Sequence, residues 1–125
     1  MKFLRCEHCG NLVTFMEDSG VFLVCCGEPM KQLTAHTADQ GKEKHVPVVT
    51  VAGREVCVQV GDVLHPMEKD HLIQWIVLET CCGSYIKKLE PGEEPKASFT
   101  MREDEKALCV YEYCNKHGLW KTDVK

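Results

Sequence analysis

From residue 45 onward, short runs of β-branched and aromatic residues alternate with polar turn residues, and no apolar stripe keeps the spacing of a long helix. Residues 46–51 are rich in β-branched side chains, and Val56, Val58 and Val60 share one face of an alternating segment. Residues 72–78 are almost continuously apolar, as in a strand covered on both sides. Residues 85–89, 97–101 and 108–113 repeat the style. Ala52-Gly53, Gly61-Asp62, Gly83-Ser84, Pro91-Gly92 and Glu103-Asp104 supply turns between them. Six or seven short strands at this spacing predict an antiparallel β-sandwich of immunoglobulin-like size.

The preceding segment is different. Residues 1–36 hold few large apolar side chains, among them Phe3, Leu4, Leu12, Val13, Phe15 and Phe22. A segment of that length usually needs a metal, disulfides or a partner subunit to stay folded. Asp18-Ser19-Gly20 predicts a turn between strands at 12–16 and 21–24, a hairpin whose outer ends carry cysteines. Residues 37–44 are polar, contain Gly41 and read as a linker. The predicted class is therefore mainly β, with a small N-terminal unit at 1–36 and a sandwich at 37–125.

A chain of 125 residues has room for one ordinary domain with a small satellite. Fifteen basic residues are interleaved with nineteen acidic ones for a net charge of −4, which argues against a nucleic-acid partner. No apolar run approaches the roughly 20 residues that cross a bilayer. Met1-Lys2-Phe3-Leu4-Arg5 leads into Cys6 and Glu7 without the apolar core of a signal peptide, so the expected location is the cytoplasm, away from membranes. Nine cysteines then point to metal ligation rather than disulfides. Two pairs are adjacent, Cys25-Cys26 and Cys81-Cys82. Neighbouring Cα atoms lie about 3.8 Å apart, short of the roughly 4.4 Å that a relaxed disulfide needs, whereas two adjacent thiolates can reach one metal.

Cys6-x-x-Cys9-Gly10 followed by Cys25-Cys26-Gly27 predicts a mononuclear four-thiolate site, the Cys-x-x-Cys turn aiming backbone N–H groups at its sulfurs. Zinc and iron both accept four thiolates, and the adjacency of the second pair, which strains a regular tetrahedron, favours iron. His8 and His36 read as ordinary turn and linker residues. His45, His65, His71 and His117 fall in loops or at strand edges, and Cys114 lies three residues before His117. Imidazoles with a thiolate suit iron, copper or zinc, and spacing alone leaves a second site undecided.

Cys6-x-x-Cys9 with Cys25-Cys26-Gly27-Glu28-Pro29-Met30, then Glu43-Lys44-His45-Val46-Pro47-Val48, His65-Pro66-Met67, His71 and Cys114-Asn115-x-His117-Gly118, resemble the desulfoferrodoxin family of two-iron superoxide reductases. The likeness runs in order over nearly the whole chain. It implies a desulforedoxin-like iron unit in residues 1–36 with ligands Cys6, Cys9, Cys25 and Cys26. It implies a superoxide reductase sandwich in 37–125, with iron held equatorially by His45, His65, His71 and His117 and axially by Cys114, the sixth position open. Lys44 would be the cation beside the opening and Glu43 the carboxylate that can occupy it, although by residue type alone both read as solvated charges. Superoxide as substrate, a rubredoxin-like electron donor and a homodimer are further implications. An electron carrier without catalysis and a zinc-stabilised binding module are the competing functional classes. Cys57, Cys81, Cys82 and Cys109 have no place in this scheme, and Cys57 and Cys109 are expected to be buried in strands.

Overall fold

The computed structural model describes residues 1–39 and 44–125, and its described elements are all strands. The chain divides into two compact units, Met1–Thr34 and Ala35–Lys125.

The first unit contains β1 (Phe3–Arg5), β2 (Leu12–Thr14), β3 (Val24–Cys25), β4 (Glu28–Pro29) and β5 (Lys31–Gln32). β1 lies between β2 and β5, and β3 pairs with β4 in a separate two-stranded hairpin. The hairpin predicted across Asp18-Ser19-Gly20 does not form. Asp18 does accept from the Gly20 N–H at 2.8 Å, making the local turn, but the strand expected after it has no edge to join. Both edges of β1 are already occupied, and residues 21–23 remain outside any strand with Phe22 84% exposed. The turns that form are those of the cysteine motifs. Cys6 N–H donates to Asn11 O at 2.8 Å and Gly10 N–H to Cys6 O at 3.0 Å, closing β1 on β2. Cys26 (φ 53°) and Gly27 (φ 79°) are both left-handed and link β3 to β4 through the two-residue turn suited to twisted strands. Only Phe3, Leu4 and Cys6 are buried apolar residues among the described residues of this unit.

The second unit is the sandwich anticipated from the pattern. Its strands are β6 (Pro47–Ala52), β7 (Glu55–Val60), β8 (Ile73–Thr80), β9 (Ser84–Lys88), β10 (Lys96–Thr100), β11 (Ala107–Cys114) and β12 (Gly118–Asp123). They form two antiparallel sheets, β10-β7-β6 and β12-β11-β8-β9. Period-two alternation turns Val56, Val58 and Val60 of one sheet towards Ile76, Leu78 and Val110 of the other, all at most 3% exposed. The same alternation turns Cys57 outwards, so it is exposed rather than buried as expected, while Cys109 is buried. β12 was not anticipated. Leu119 and Trp120 are its only buried residues, too few to make a pattern, and it forms because Gly118 (φ 85°) reverses the chain directly after β11.

Candidate metal centres

In the first unit the sulfur atoms of Cys6, Cys9, Cys25 and Cys26 all lie within 4.8 Å of one another. Cys9 and Cys25 sulfurs are 3.6 Å apart, the Cys9 N–H donates to Cys6 Sγ at 3.5 Å, and Asn11 Nδ2 donates to Cys25 Sγ at 3.6 Å. The Cys9 N–H draws the Cys6 thiol down to about 6. The thiol of Cys9 pushes Cys26 up to about 12 and Cys25 upwards as well. Four sulfurs this close cannot all carry charge alone, and a cation at their centre resolves the conflict. The donor set therefore fits a thiophilic metal ion.

The second cluster forms at one end of the sandwich. His45 precedes β6, His65 and His71 lie between β7 and β8, and Cys114 and His117 flank the β11–β12 turn. Ligand atoms of His45, His65, His71, Cys114 and His117 all lie within 4.8 Å of one another. Ring centroids run 4.6 Å from His45 to His65, 4.8 Å on to His71, 5.2 Å to His117 and 4.9 Å back to His45, with adjacent planes at 60° to 85°. Four imidazoles thus close a square edge to face. Cys114 Sγ is 3.6 Å from His65 Nε2 and 3.7 Å from His117 Nδ1, which are opposite corners. A sulfur nearly equidistant from both ends of a diagonal lies midway between those two corners, in the plane that bisects them.

Individual contacts fix the ring nitrogens. His65 Nδ1 is 2.7 Å from the Pro66 carbonyl, which can only accept, so Nδ1 donates there and Nε2 is the nitrogen that faces the cluster. That Nε2 lies 3.0 Å from His45 Nε2. Both rings are buried, His71 is half-buried and His117 exposed, so the square reaches solvent on the side of the last two. Five convergent nitrogen and sulfur donors fit a transition metal with one face left free.

Supporting residues that carried no role in the sequence reading hold these ligands. Asp39 Oδ1 accepts from the N–H groups of His45 (2.6 Å) and Val46 (3.0 Å). Asn115 Oδ1 accepts from Leu72 N–H at 3.0 Å, and its Nδ2 donates to Asp70 O at 2.9 Å, tying the segment around His71 to the Cys114 turn. Trp120 stacks on His45 at 4.7 Å and donates from Nε1 to His117 O at 3.2 Å. A skipped residue in the β11–β8 register, where Tyr113 faces Trp75 but Cys114 faces Ile73, bends the ladder beside Cys114. Glu112, on the inner row of β11 with Val110 and Cys114, is fully buried, and burial holds its carboxyl well above the usual range.

Lys44 is half-buried next to His45. Its backbone O lies 2.7 Å from where a Cβ on Gly61 (φ +81°) would stand, so only glycine fits there. Glu43 lies outside the described residues. His8 faces Glu28 at 3.1 Å, and His36 bridges to Trp120 through its backbone, so neither joins a cluster.

A β-sandwich presenting four imidazoles and a thiol around one point, with a separate four-thiol knuckle, defines a non-haem metalloprotein with one closed centre and one open centre. Residues 37–123 match the family model described as desulfoferrodoxin, and residues 1–33 match that described as desulfoferrodoxin, N-terminal domain. The chain belongs to the desulfoferrodoxin family. A desulfoferrodoxin homolog of Archaeoglobus fulgidus is 47% identical over 123 residues, 98% of this chain and 96% of the relative. The solved superoxide reductase of Treponema pallidum superposes with a TM-score of 0.84 at 33% identity, covering 98% of this chain and 97% of that one. The superoxide reductase (1Fe-SOR) of Giardia intestinalis covers 67% of this chain and 99% of its own, with a TM-score of 0.59 at 34% identity.

Proposed function

We propose that this chain is a superoxide reductase, an oxidoreductase that adds one electron and two protons to superoxide and releases hydrogen peroxide. The observation that carries the reading is the ring of four imidazoles converging with the Cys114 sulfur, which touches two opposite members of it. Iron is the metal of both centres. Cys6, Cys9, Cys25 and Cys26 would hold one ion, and His45, His65, His71, His117 and Cys114 would hold the other. A ferrous ion in the imidazole centre supplies the single electron.

The remaining chemistry belongs to the side chains. Neutral imidazoles add no charge and the Cys114 thiolate adds one negative charge, so the centre stays net positive towards an anion. With a metal bound, the buried Cys114 thiolate would donate electron density to it and so would weaken its hold on an anionic product. The Lys44 ammonium draws superoxide to the free face and can offer it a proton from Nζ. Glu43 would be the carboxylate able to occupy the open position when the iron is ferric. His71 and His117, on the solvent side, form the way in.

The four-thiolate centre, closed to ligands, can pass electrons or support the fold. A rubredoxin-like protein is the proposed donor. A homodimer through the first unit is supported by the exposure of Val21 (72%), Phe22 (84%) and Val24 (64%), an apolar row that a second copy would cover. The cytoplasm is the proposed location, a reducing compartment in which thiols stay available to metals.

The test is a pulse of superoxide on the reduced, iron-loaded protein. Peroxide formed without oxygen evolution is expected. Evolution of oxygen would mean dismutation, and no consumption would leave only an electron carrier.

A further inference from the structure

Cys81 and Cys82 occupy the tip of the β8–β9 hairpin, and neither belongs to the two metal clusters. Both are exposed, and their sulfurs are 3.2 Å apart. The hairpin tip is held from several sides. Thr80 N–H donates to Gly83 O at 2.9 Å, framing the pair between them, and Cys82 N–H donates to Thr80 Oγ1 at 3.2 Å. The Thr80 hydroxyl in turn donates to Glu105, whose other oxygen accepts from Tyr85 OH at 2.6 Å. Cys81 exchanges two contacts with Lys106. Its N–H donates to Lys106 O at 2.9 Å, and the Lys106 N–H donates to Cys81 Sγ at 3.3 Å.

These contacts make the two sulfurs unequal. The Lys106 N–H favours the Cys81 thiolate and holds that thiol below its ordinary value. Cys82, donating to Cys81, is held above it. One sulfur is thus a nucleophile on an exposed turn, and the other is a proton-bearing neighbour already in contact. Cys57, also exposed, has only the Ser98 hydroxyl beside it at 3.8 Å, and Cys109 is buried and pushed up to about 11 by desolvation. Among the cysteines outside the metal clusters, only the hairpin pair combines access, a thiolate-stabilising N–H and a resolving thiol.

We propose that Cys81 and Cys82 form a dithiol site that reduces hydrogen peroxide, Cys81 attacking and Cys82 resolving. The Cys81 thiolate attacks one peroxide oxygen, the O–O bond breaks, hydroxide leaves and takes up a proton as water, and Cys81 becomes a sulfenic acid. The Cys82 sulfur then attacks Cys81 Sγ, the S–O bond breaks and a second water leaves with the remaining proton. The two sulfurs lose two electrons and the peroxide gains two. The oxidant is the product of the reaction proposed above, so its supply in the cell rests on that reading, although the site responds to peroxide from any source. Ring closure brings the sulfurs from 3.2 Å to about 2.05 Å between adjacent residues, a strained and hence easily reduced disulfide. A cellular dithiol reductant returns it to the starting state.

The experiment uses the iron-loaded full chain with both irons oxidised, given a small excess of hydrogen peroxide, quenched, alkylated and digested. The peptide spanning Cys81 and Cys82 is expected to lose two hydrogens and take up no alkyl group, while Cys109 stays alkylatable after unfolding. Cys82→Ser should leave a sulfenic acid on Cys81 that dimedone captures, and Cys81→Ser should slow peroxide-driven thiol loss at Cys82 about tenfold or more. Alkylation of both hairpin sulfurs after peroxide, a disulfide joining two chains, or capture on Cys82 of Cys81→Ser as fast as on Cys81 of Cys82→Ser overturns the proposal. Superoxide consumption is read separately on a reduced aliquot not exposed to peroxide, so loss of the reductase reading and loss of the dithiol reading give different results.

Discussion

Single side chains near the imidazole square act either on the approaching anion or on the geometry of the ligands, and the two roles separate under substitution. Lys44→Ala is expected to keep both irons and to slow superoxide capture about tenfold at low ionic strength, because an ammonium beside the open face, the role proposed for Lys44, would steer an anion chiefly through its field. The difference should shrink as salt shortens the Debye length to about 10 Å at 0.1 M. Pulse radiolysis at two ionic strengths measures this, and a salt-independent deficit would place Lys44 in proton delivery instead. Asn115→Ala removes the contacts to Leu72 N–H and Asp70 O, a cost of about 1–3 kcal/mol, and should lower iron retention at the imidazole centre without touching the four-thiolate centre. Asn115→Asp keeps the acceptor and should recover part of the loss, read by metal analysis and thermal unfolding. The four cysteine ligands are legible because their spacing is local, whereas the imidazole set, spread from His45 to His117, is left undecided by spacing and named only by the resemblance of its motifs to desulfoferrodoxin. Asn115 carries no signal because its partner Leu72 lies 43 residues away, and Asp39, only six residues before His45, carries none because a lone acidic residue in a polar stretch does not reveal which N–H groups it accepts from.

At the scale of elements, alternation predicted what burial enforces and failed where other forces decide. Val56, Val58 and Val60 announced β7 because a sheet with one covered face repeats every second residue. The N-terminal hairpin was misplaced because the apolar residues 21–24 look like a strand, whereas the cysteine turns choose which backbone edges meet. A similar tether operates in the second unit. Glu105 accepts from the Thr80 and Tyr85 hydroxyls and from Arg102 N–H at 2.9 Å, joining the β8–β9 hairpin to the loop before β11. Thr80 foremost, then Tyr85 and Arg102, hold its carboxyl below the usual value. A depressed acid stabilises the fold above its unfolded value of 4.5, and the contribution fades as pH falls through the lower folded value. Glu105→Gln is therefore expected to lower the unfolding temperature at neutral pH and to leave a smaller loss between neutral and acid pH than the parent shows. Thermal scans across that range measure it, and parallel curves for the two proteins would exclude the carboxylate as their source.

The whole molecule joins two units with different reasons for being folded. The second has a two-sheet core of fully buried Val56, Val60, Ile76, Leu78 and Val110, and needs no metal to exclude water from it. The first buries Phe3, Leu4 and Cys6, far too little apolar surface to offset the chain entropy of some thirty residues, so its order must come from the four sulfurs and what they bind. Cys9→Ser in the full chain breaks one of those four bonds and removes the N–H···S turn partner's own sulfur while leaving the sandwich intact. The expected result is loss of iron from the four-thiolate centre and of hydrogen-exchange protection in β1, β2 and β5, with protection in β7, β8 and β11 retained. Iron at the imidazole centre should stay bound, and superoxide consumption from a chemically reduced sample should persist, because each of its five ligands lies in the second unit. Should single-turnover reduction fail while that iron remains in place, the electron must reach the open centre by way of the closed one, and the first unit becomes part of the reaction path.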